Sequence, residues 1–283
     1  MSAIEVSGLR KSYGPREVLH DVSFSVETGE VFALLGPNGT GKTTTVEILE
    51  GYRRRDRGEV SVLGADPAKA GGDFRARIGI VLQSSAVYPL LSVRETLELF
   101  AGYYPHPRRP EEVIELVGLT EQVQTRVRTL SGGQLRRLDL ALALIGDPEL
   151  IFLDEPTTGF DPAARRQAWD TILGLRELGK SILLTTHYME EAQRLSDRIA
   201  ILRDGRIALT GSPRELLSGQ ALVEIRYRRN GEEVLIDTEE PTRVLHELTT
   251  RALADGVELE GLEVHRRSLE DVYLDLTRVK AEA

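Results

Sequence analysis

The spacing of apolar and polar residues changes rhythm along the chain, and the changes predict its parts. Residues 4–35 read as short strands and turns: Ile4–Val6, then Val18–Phe24 with polar residues interspersed, then the apolar run Val31–Leu35. A helix is expected over Thr43–Leu49, ended by Gly51 and the basic run Arg53–Arg57, with a strand resuming at Glu59–Leu63. Strand Ile78–Leu82 leads to Gln83, after which Pro89 breaks the chain and Ser92-Val93-Arg94-Glu95 forms a capping box for a helix through Ala101. Helical texture continues through Pro110–Val117 and Gly132–Ile145, where Leu135, Leu138, Leu142 and Ile145 fall on one face. Leu150–Leu153 and Ser181–Leu184 are compact apolar runs of the kind buried in a parallel sheet, with helix Ala163–Arg176 between them. Ile199–Leu202 and Ile207–Thr210 flank Asp204-Gly205-Arg206 and read as a hairpin.

From about Gly219 the pattern shifts to alternation at Val223, Ile225 and Tyr227, a turn at Gly231, and strand Val234–Ile236. Helix Pro241–Leu253, strand Val257–Val264 and a helix Ser268–Leu276 behind a Ser-x-x-Asp cap complete it. The division expected is 1–218, with a helical insert over about 89–146, followed by a small α/β unit over 219–283.

Candidate chemistry starts at Gly36-Pro37-Asn38-Gly39-Thr40-Gly41-Lys42-Thr43, between an apolar strand and a helix. Glycines there let successive N–H groups curl round a phosphate, Lys42 can reach the outer phosphates, and the Thr43 hydroxyl is placed for magnesium, with Thr44 following. A nucleoside triphosphate is the expected ligand. Asp154 and Glu155 end the buried strand at Leu150–Leu153, the position where open α/β sheets place ligands. Magnesium on phosphate oxygens needs a hard oxygen donor, which suits Asp154, and hydrolysis needs a group to align and deprotonate water, which suits Glu155. Another apolar strand ends at Thr185-Thr186-His187, so His187 can hold the attacking water or touch the terminal phosphate. His20, His106, His246 and His265 have no such setting, and Arg53, Arg54 and Arg55 read as a solvated turn.

Composition narrows the classes. The formal charge of −9, from 45 acidic and 36 basic side chains, argues against a phosphate-tracking nucleic-acid surface. The absence of cysteine excludes thiol catalysis and zinc–thiolate sites. No signal peptide and no uncharged apolar stretch of spanning length is visible, so any membrane role needs a partner.

With these elements in place, the chain resembles the ATP-binding cassette subunits of ABC transporters. Leu130-Ser131-Gly132-Gly133-Gln134 is similar to the family signature, Gln83 stands where the glutamine loop falls, and His187 where the switch histidine falls. The resemblance covers about 4–215 and implies a P-loop NTPase core of RecA type, an antiparallel β subdomain and a helical insert, with 219–283 as an α/β extension. It implies that Tyr13 stacks on adenine, that Gln83 approaches the magnesium and the water, and that Asp161 lies in a loop communicating between subunits. Phe160 replaces the more usual leucine before that aspartate.

The resemblance further implies that Ser131, Gly132, Gly133 and Gln134 face the ATP held by a second copy or a homologous cassette. It implies a separate transmembrane permease and a place at the cytoplasmic face of the membrane. The stretches Thr157–Arg166 and Thr185–Ala192 resemble bacterial drug and polysaccharide exporters of the daunorubicin-resistance type. Importer ATPases, ABC ATPases acting on nucleic acid or ribosomes, and a regulatory role without turnover are the alternatives.

Overall fold

The computed structural model of the protein describes residues 1–81, 87–217, 223–229, 232–266 and 268–278. Two compact units result, Met1–Thr210 and Gly211–Ala283. The 218/219 division expected from the texture falls inside the second unit, because the short helix Pro213–Leu217 packs against the helix Leu269–Arg278.

The first unit starts with long strands β1 (Ser2–Tyr13) and β2 (Arg16–Glu27), followed by β3 (Val31–Leu35), α1 (Lys42–Leu49) and β4 (Arg57–Val62). β1 lies between β2 and β4 in an antiparallel three-stranded sheet. It runs past the expected Ile4–Val6 because register shifts, one of them spanning Gly8 at φ 62, absorb the polar interruption and let pairing continue to Tyr13. The inward face, Ile4, Val6, Leu9, Val22 and Phe24, packs on α1 residues Val46 and Leu49 and on Phe32 of β3. Phe24 and Phe32 stack with ring centroids 5.3 Å apart.

After the short helix α2 (Gly72–Ala76), strands β5 (Ile78–Val81), β6 (Leu150–Asp154), β7 (Ser181–Thr186), β8 (Arg198–Arg203) and β9 (Arg206–Gly211) complete the second sheet, ordered β5-β6-β7-β3-β8-β9. The first five strands in that order are parallel. β3, β6 and β7 are buried at every residue, which explains their unbroken apolar spelling: both faces of the sheet are covered. The β8–β9 turn has Asp204 at φ 47 and Gly205 at φ 71, the conformation of a two-residue hairpin. A Cβ on Gly205 would lie 2.3 Å from the Val18 carbonyl, so the turn seats directly on β2.

The helical insert holds α3 (Val93–Ala101), α4 (Pro110–Leu116) and α5 (Gly132–Leu144), with single 3-10 turns at Thr120–Gln122 and Val127–Thr129. Ser92 and Glu95 form the expected capping box on α3. Leu97, Val113, Ile114, Leu119 and Leu138 are fully or almost fully buried. α5 approaches β5 so closely that a Cβ on Gly79 would lie 2.4 Å from the Ala143 carbonyl. α6 (Pro162–Glu177) joins β6 to β7, and α7 (Met189–Leu195) joins β7 to β8.

The second unit contains α8 (Pro213–Leu217), β10 (Val223–Arg229), β11 (Glu232–Thr238), α9 (Pro241–Asp255), β12 (Glu260–Arg266) and α10 (Leu269–Arg278). Its antiparallel sheet has the order β11-β10-β12, and Val223, Ile225 and Tyr227 form a core with Val234, Ile236, Val244, Leu245 and Leu248. β12 starts later than the expected Val257 because the end of α9 claims that residue. Gly256 turns left-handed at φ 66 and the Val257 N–H closes on the Ala252 carbonyl at 2.9 Å.

Candidate functional site

The loop leaving β3 is built so that only glycine fits at two of its turns. A Cβ on Gly36 would meet the Leu202 carbonyl oxygen at 2.4 Å, and Gly41, at φ 107, would drive one to 2.5 Å from Leu19. Gly41 is also the N-cap of α1 and provides no side-chain cap, so the first N–H groups of that helix are not capped from within. Lys42 folds back over the loop: its Nζ donates to the Gly36 carbonyl at 2.8 Å and the Pro37 carbonyl at 3.1 Å. That ammonium is 5% exposed and 3.7 Å from a Glu155 carboxylate oxygen. Burial lowers its pKa, and the neighbouring Glu155 and Asp154 oppose the shift.

Asp154 and Glu155 point in different directions because the chain turns between them. Asp154 is buried, and its Oδ1 accepts a short hydrogen bond from the Thr185 hydroxyl on β7. Burial pushes its pKa up, while the Thr185 bond and the Lys42 and Arg136 charges pull it down. Glu155 adopts a left-handed φ of 48, uncommon for a residue with a side chain. Its N–H donates to the Thr185 carbonyl and hydroxyl, both at 3.1 Å. One carboxylate oxygen accepts from the Thr158 hydroxyl at 3.2 Å, and the other faces Lys42 and, at 3.4 Å, His187 Nδ1. His187 Nδ1 is buried and the approach to Glu155 is close enough for an ion pair without hydrogen-bond geometry, so a small rotation of either side chain would complete the bond.

A cleft of about 390 Å³ collects Tyr13, Asn38, Gly39, Gly41, Lys42, Thr43, Thr44 and Glu155. The sequence separates Tyr13 from the loop, and the fold brings them together. Asp154 is not among the residues lining this cleft, and its carboxylate bonds Thr185. Thr43 is exposed in it, and Thr40 bonds the Pro37 carbonyl at 2.9 Å, bracing the loop. Gln83 lies outside the described residues.

A second cleft, of about 890 Å³, is lined by Ser131, Gly132, Gly133, Glu155, Asp161 and their neighbours. Ser131 caps α5: its Oγ accepts from the Gln134 N–H at 3.3 Å while the Gln134 side chain accepts from the Ser131 N–H at 2.9 Å. Asp161 caps α6, accepting from the N–H groups of Ala163 and Ala164 at 2.8 Å each. Within one chain, then, the loop cradle and the start of α5 open into separate clefts, and Glu155 lines both.

The structure adds residues that the motifs did not single out. Glu191 is fully buried on α7 and accepts from the Thr157 hydroxyl at 2.7 Å and the Trp169 indole at 3.0 Å, tying three elements behind the Glu155 turn. Glu50, buried at the end of α1, has its pKa pushed up to about 8 by burial and then by the Asp154 and Glu47 charges. Of the three arginines expected to form a solvated turn, Arg54 is exposed and the other two are engaged: Arg55 grips Asp66 with two nitrogens at 2.8 and 3.0 Å. Arg53 pairs with Glu47 and lies 5.2 Å from the Tyr13 ring centroid. Pairing of β1 with β4 brings this loop beside Tyr13, a proximity that local charge runs do not reveal.

A parallel sheet whose inner strand feeds a glycine-rich loop and helix, beside a strand ending in two carboxylates, defines a phosphate-loop nucleoside triphosphatase. The family model described as ABC transporter matches residues 19–158. Nod factor export ATP-binding protein I of Rhizobium etli is 38% identical over 304 residues, covering 98% of this chain and 94% of the relative. The linearmycin resistance ATP-binding protein LnrL of Bacillus subtilis is 33% identical over 304 residues, covering 97% and 98%. The chain belongs to the ABC transporter family, as one of its ATP-binding, ATP-hydrolysing subunits.

Among solved structures, an ATP-binding subunit of an ABC transporter superposes with a TM-score of 0.72 at 25% identity, covering 97% of this chain and 99% of the other. A dimeric post-hydrolysis state of an ATP-binding cassette bound to ADP and Pi matches with a TM-score of 0.66 at 26% identity, covering 74% of this chain and 98% of that one. Among the described residues no helix is long and apolar enough to cross a membrane.

Proposed function

We propose that this protein powers export through a separate integral membrane permease, closing with a second copy or a homologous cassette over ATP at the cytoplasmic face of the membrane. The observation that carries this reading is the separation of the two clefts in one chain: the phosphate-loop cradle stands in one and the Ser131–Gln134 helix start in the other. A helix start that favours an anion but does not share its own chain's phosphate cleft is best used on a neighbour's triphosphate. The names of the relatives, which speak of Nod factor export and of linearmycin resistance, support the direction of transport.

The residues have distinct tasks in this reading. Tyr13 stacks on the adenine. Gly36, Pro37, Asn38, Gly39, Thr40, Gly41 and Thr44 wrap the phosphates with N–H groups. Lys42 exchanges its loop carbonyls for phosphate oxygens, a swap between acceptors that needs no new desolvation because the ammonium is already buried. Glu155 takes a proton from the attacking water, and His187, 3.4 Å from it, orients that water or the terminal phosphate. Thr43 and Asp154 provide hard oxygen donors beside the cradle, so they fit a magnesium ion, which would neutralise phosphate charge when bound. Gln83 completes this set by resemblance. The unit over 219–283 braces the dimer or meets the partner. The charge of −9 speaks against nucleic acid as a partner.

Glu155→Gln tests the reading. Turnover should fall at least ~10²-fold while ATP still binds, and ATP should then hold a dimer visible by size-exclusion mass. Near-normal phosphate release, or a variant that stays monomeric at saturating ATP, would overturn it.

A further inference from the structure

Arg136 lies on α5 just beyond the Ser131–Gln134 cap, yet its guanidinium reaches the turn at the end of β6. Its Nε donates to the Pro156 carbonyl at 3.2 Å, and one Nη donates to the carbonyls of Asp154 at 3.2 Å and Glu155 at 3.4 Å. The side chain is 12% exposed, with Asp139 at 3.8 Å on the same helix. Desolvating a guanidinium is costly unless its donors are matched. Three successive carbonyls of one turn match them here, met from two nitrogens held apart on one planar fork, whereas a lysine would have to reach all three from a single atom.

The turn so gripped is the one that aims Glu155. A left-handed residue with a side chain is strained and persists only where its surroundings over-determine it. At Glu155 the N–H side is held by Thr185 and the carbonyl side by Arg136. α5 is a 13-residue helix, so a shift at its start is carried to Arg136 as a rigid lever.

We propose that Arg136 is a positioning residue that couples the start of α5 to Glu155 within one chain, so that a ligand engaging Ser131–Gln134 from outside also sets the aim of this chain's own catalytic carboxylate. The proposal rests on the shared-site reading above and extends it: besides completing the neighbour's site, the helix start reports back to its own.

Arg136→Gln and Arg136→Lys provide the test, with phosphate release and nucleotide titration as readouts. Both should lower kcat by about 10- to 100-fold, the order expected when a catalytic group is displaced by an ångström or less, with KM and ATP affinity within about 2-fold of wild type. Lysine should not fully rescue, because one nitrogen replaces two that the planar fork holds apart over the turn. In the Glu155→Gln background, measured by single-turnover phosphate release, adding Arg136→Gln should cost less than about 2-fold, because the residue acts through Glu155. A normal kcat in Arg136→Gln, full rescue by lysine, or additive losses in the double variant would overturn the coupling while leaving the shared-site reading intact. If Arg136→Gln fails to fold, Arg136→Lys carries the same comparison. A wild type that does not hydrolyse ATP, together with a Glu155→Gln variant that forms no ATP-held dimer, would remove the functional reading itself, and the coupling with it.

Discussion

The starts of α1 and α5 are both helix N-termini with an expected anion nearby, but they are finished differently. α1 begins behind Gly41 with no side-chain cap, inside a cradle where Lys42 is buried and bonded to the loop. α5 begins on the surface and is closed by its own Ser131–Gln134 box. The first is an anion site prepared within the chain. The second is satisfied without a ligand, and the Ser131 oxygen, which accepts from Gln134, keeps its O–H proton to donate outward. On the proposed reading, the prepared cradle binds nucleotide alone, and the self-capped surface helix adds its share only when another molecule brings an anion to it.

Lys42→Ala should break the first site with the largest effect. No other cation lies as deep in the cleft among the described residues, and its removal leaves Glu155 and Asp154 without their nearest counter-charge on the phosphate side. Turnover should drop by at least ~10³-fold and ATP affinity by more than about 10-fold, read by phosphate release and calorimetric titration. Unchanged affinity would mean that the loop backbone alone holds the triphosphate.

Ser131→Arg should separate the two sites. A long cation at the N-cap removes the box and blocks close approach, so hydrolysis should fall about 10²-fold while ATP affinity of the monomer stays within about 3-fold. Hydrolysis at the normal rate would show that one chain completes the site unaided. The cap itself accounts for only about 1 kcal/mol of stability, so a modest fall in unfolding temperature is expected and does not explain a loss of that size.

Much of this contrast was legible in the sequence because it is local. A glycine-rich run between an apolar strand and a helix specifies its own geometry by backbone conformation, whereas the Ser131–Gln134 box, spelled by a serine three residues before a glutamine, was not anticipated as a cap. The unbroken apolar spelling of β6 and β7 likewise gave the parallel sheet, and Asp204-Gly205 gave the hairpin. What escaped the reading depends on contacts between distant segments. Arg136 looks like one more polar position on an amphipathic helix, and only the packing of α5 beside β6 carries it to the Glu155 turn. Glu191 reads as part of a charged helix start, although burial against Thr157 and Trp169 makes it a core acceptor. The lone tryptophan, a large side chain with one donor to place, was the available hint. Arg53 and Arg55 read as a solvated run because their partners Glu47 and Asp66 meet them only after the chain folds. The late start of β12 escaped for a smaller reason, since apolar Val257 is spent on closing the end of α9.

The smallest effect should come from Tyr13, at the rim of the prepared cradle. Its ring is 41% exposed and lines the cleft with Lys42 and Thr43, while Arg53 and Lys11 lie 5.2 and 5.6 Å from its centroid. Both cations are already paired, Arg53 with Glu47 and Lys11 with Asp56 at 2.8 Å, so they hold the ring in place without needing a ligand. A base stacked on an aromatic ring gains about 1–3 kcal/mol, and part of that is recovered by the aliphatic stems left when the ring is removed. Tyr13→Ala should therefore weaken ATP by about 10-fold in a calorimetric titration, against a far smaller change for inorganic triphosphate, which has no base to stack. Tyr13→Trp should restore most of the loss. Equal weakening of ATP and triphosphate would place the role of Tyr13 in the shape of the loop, and the cradle would then be prepared for phosphate alone.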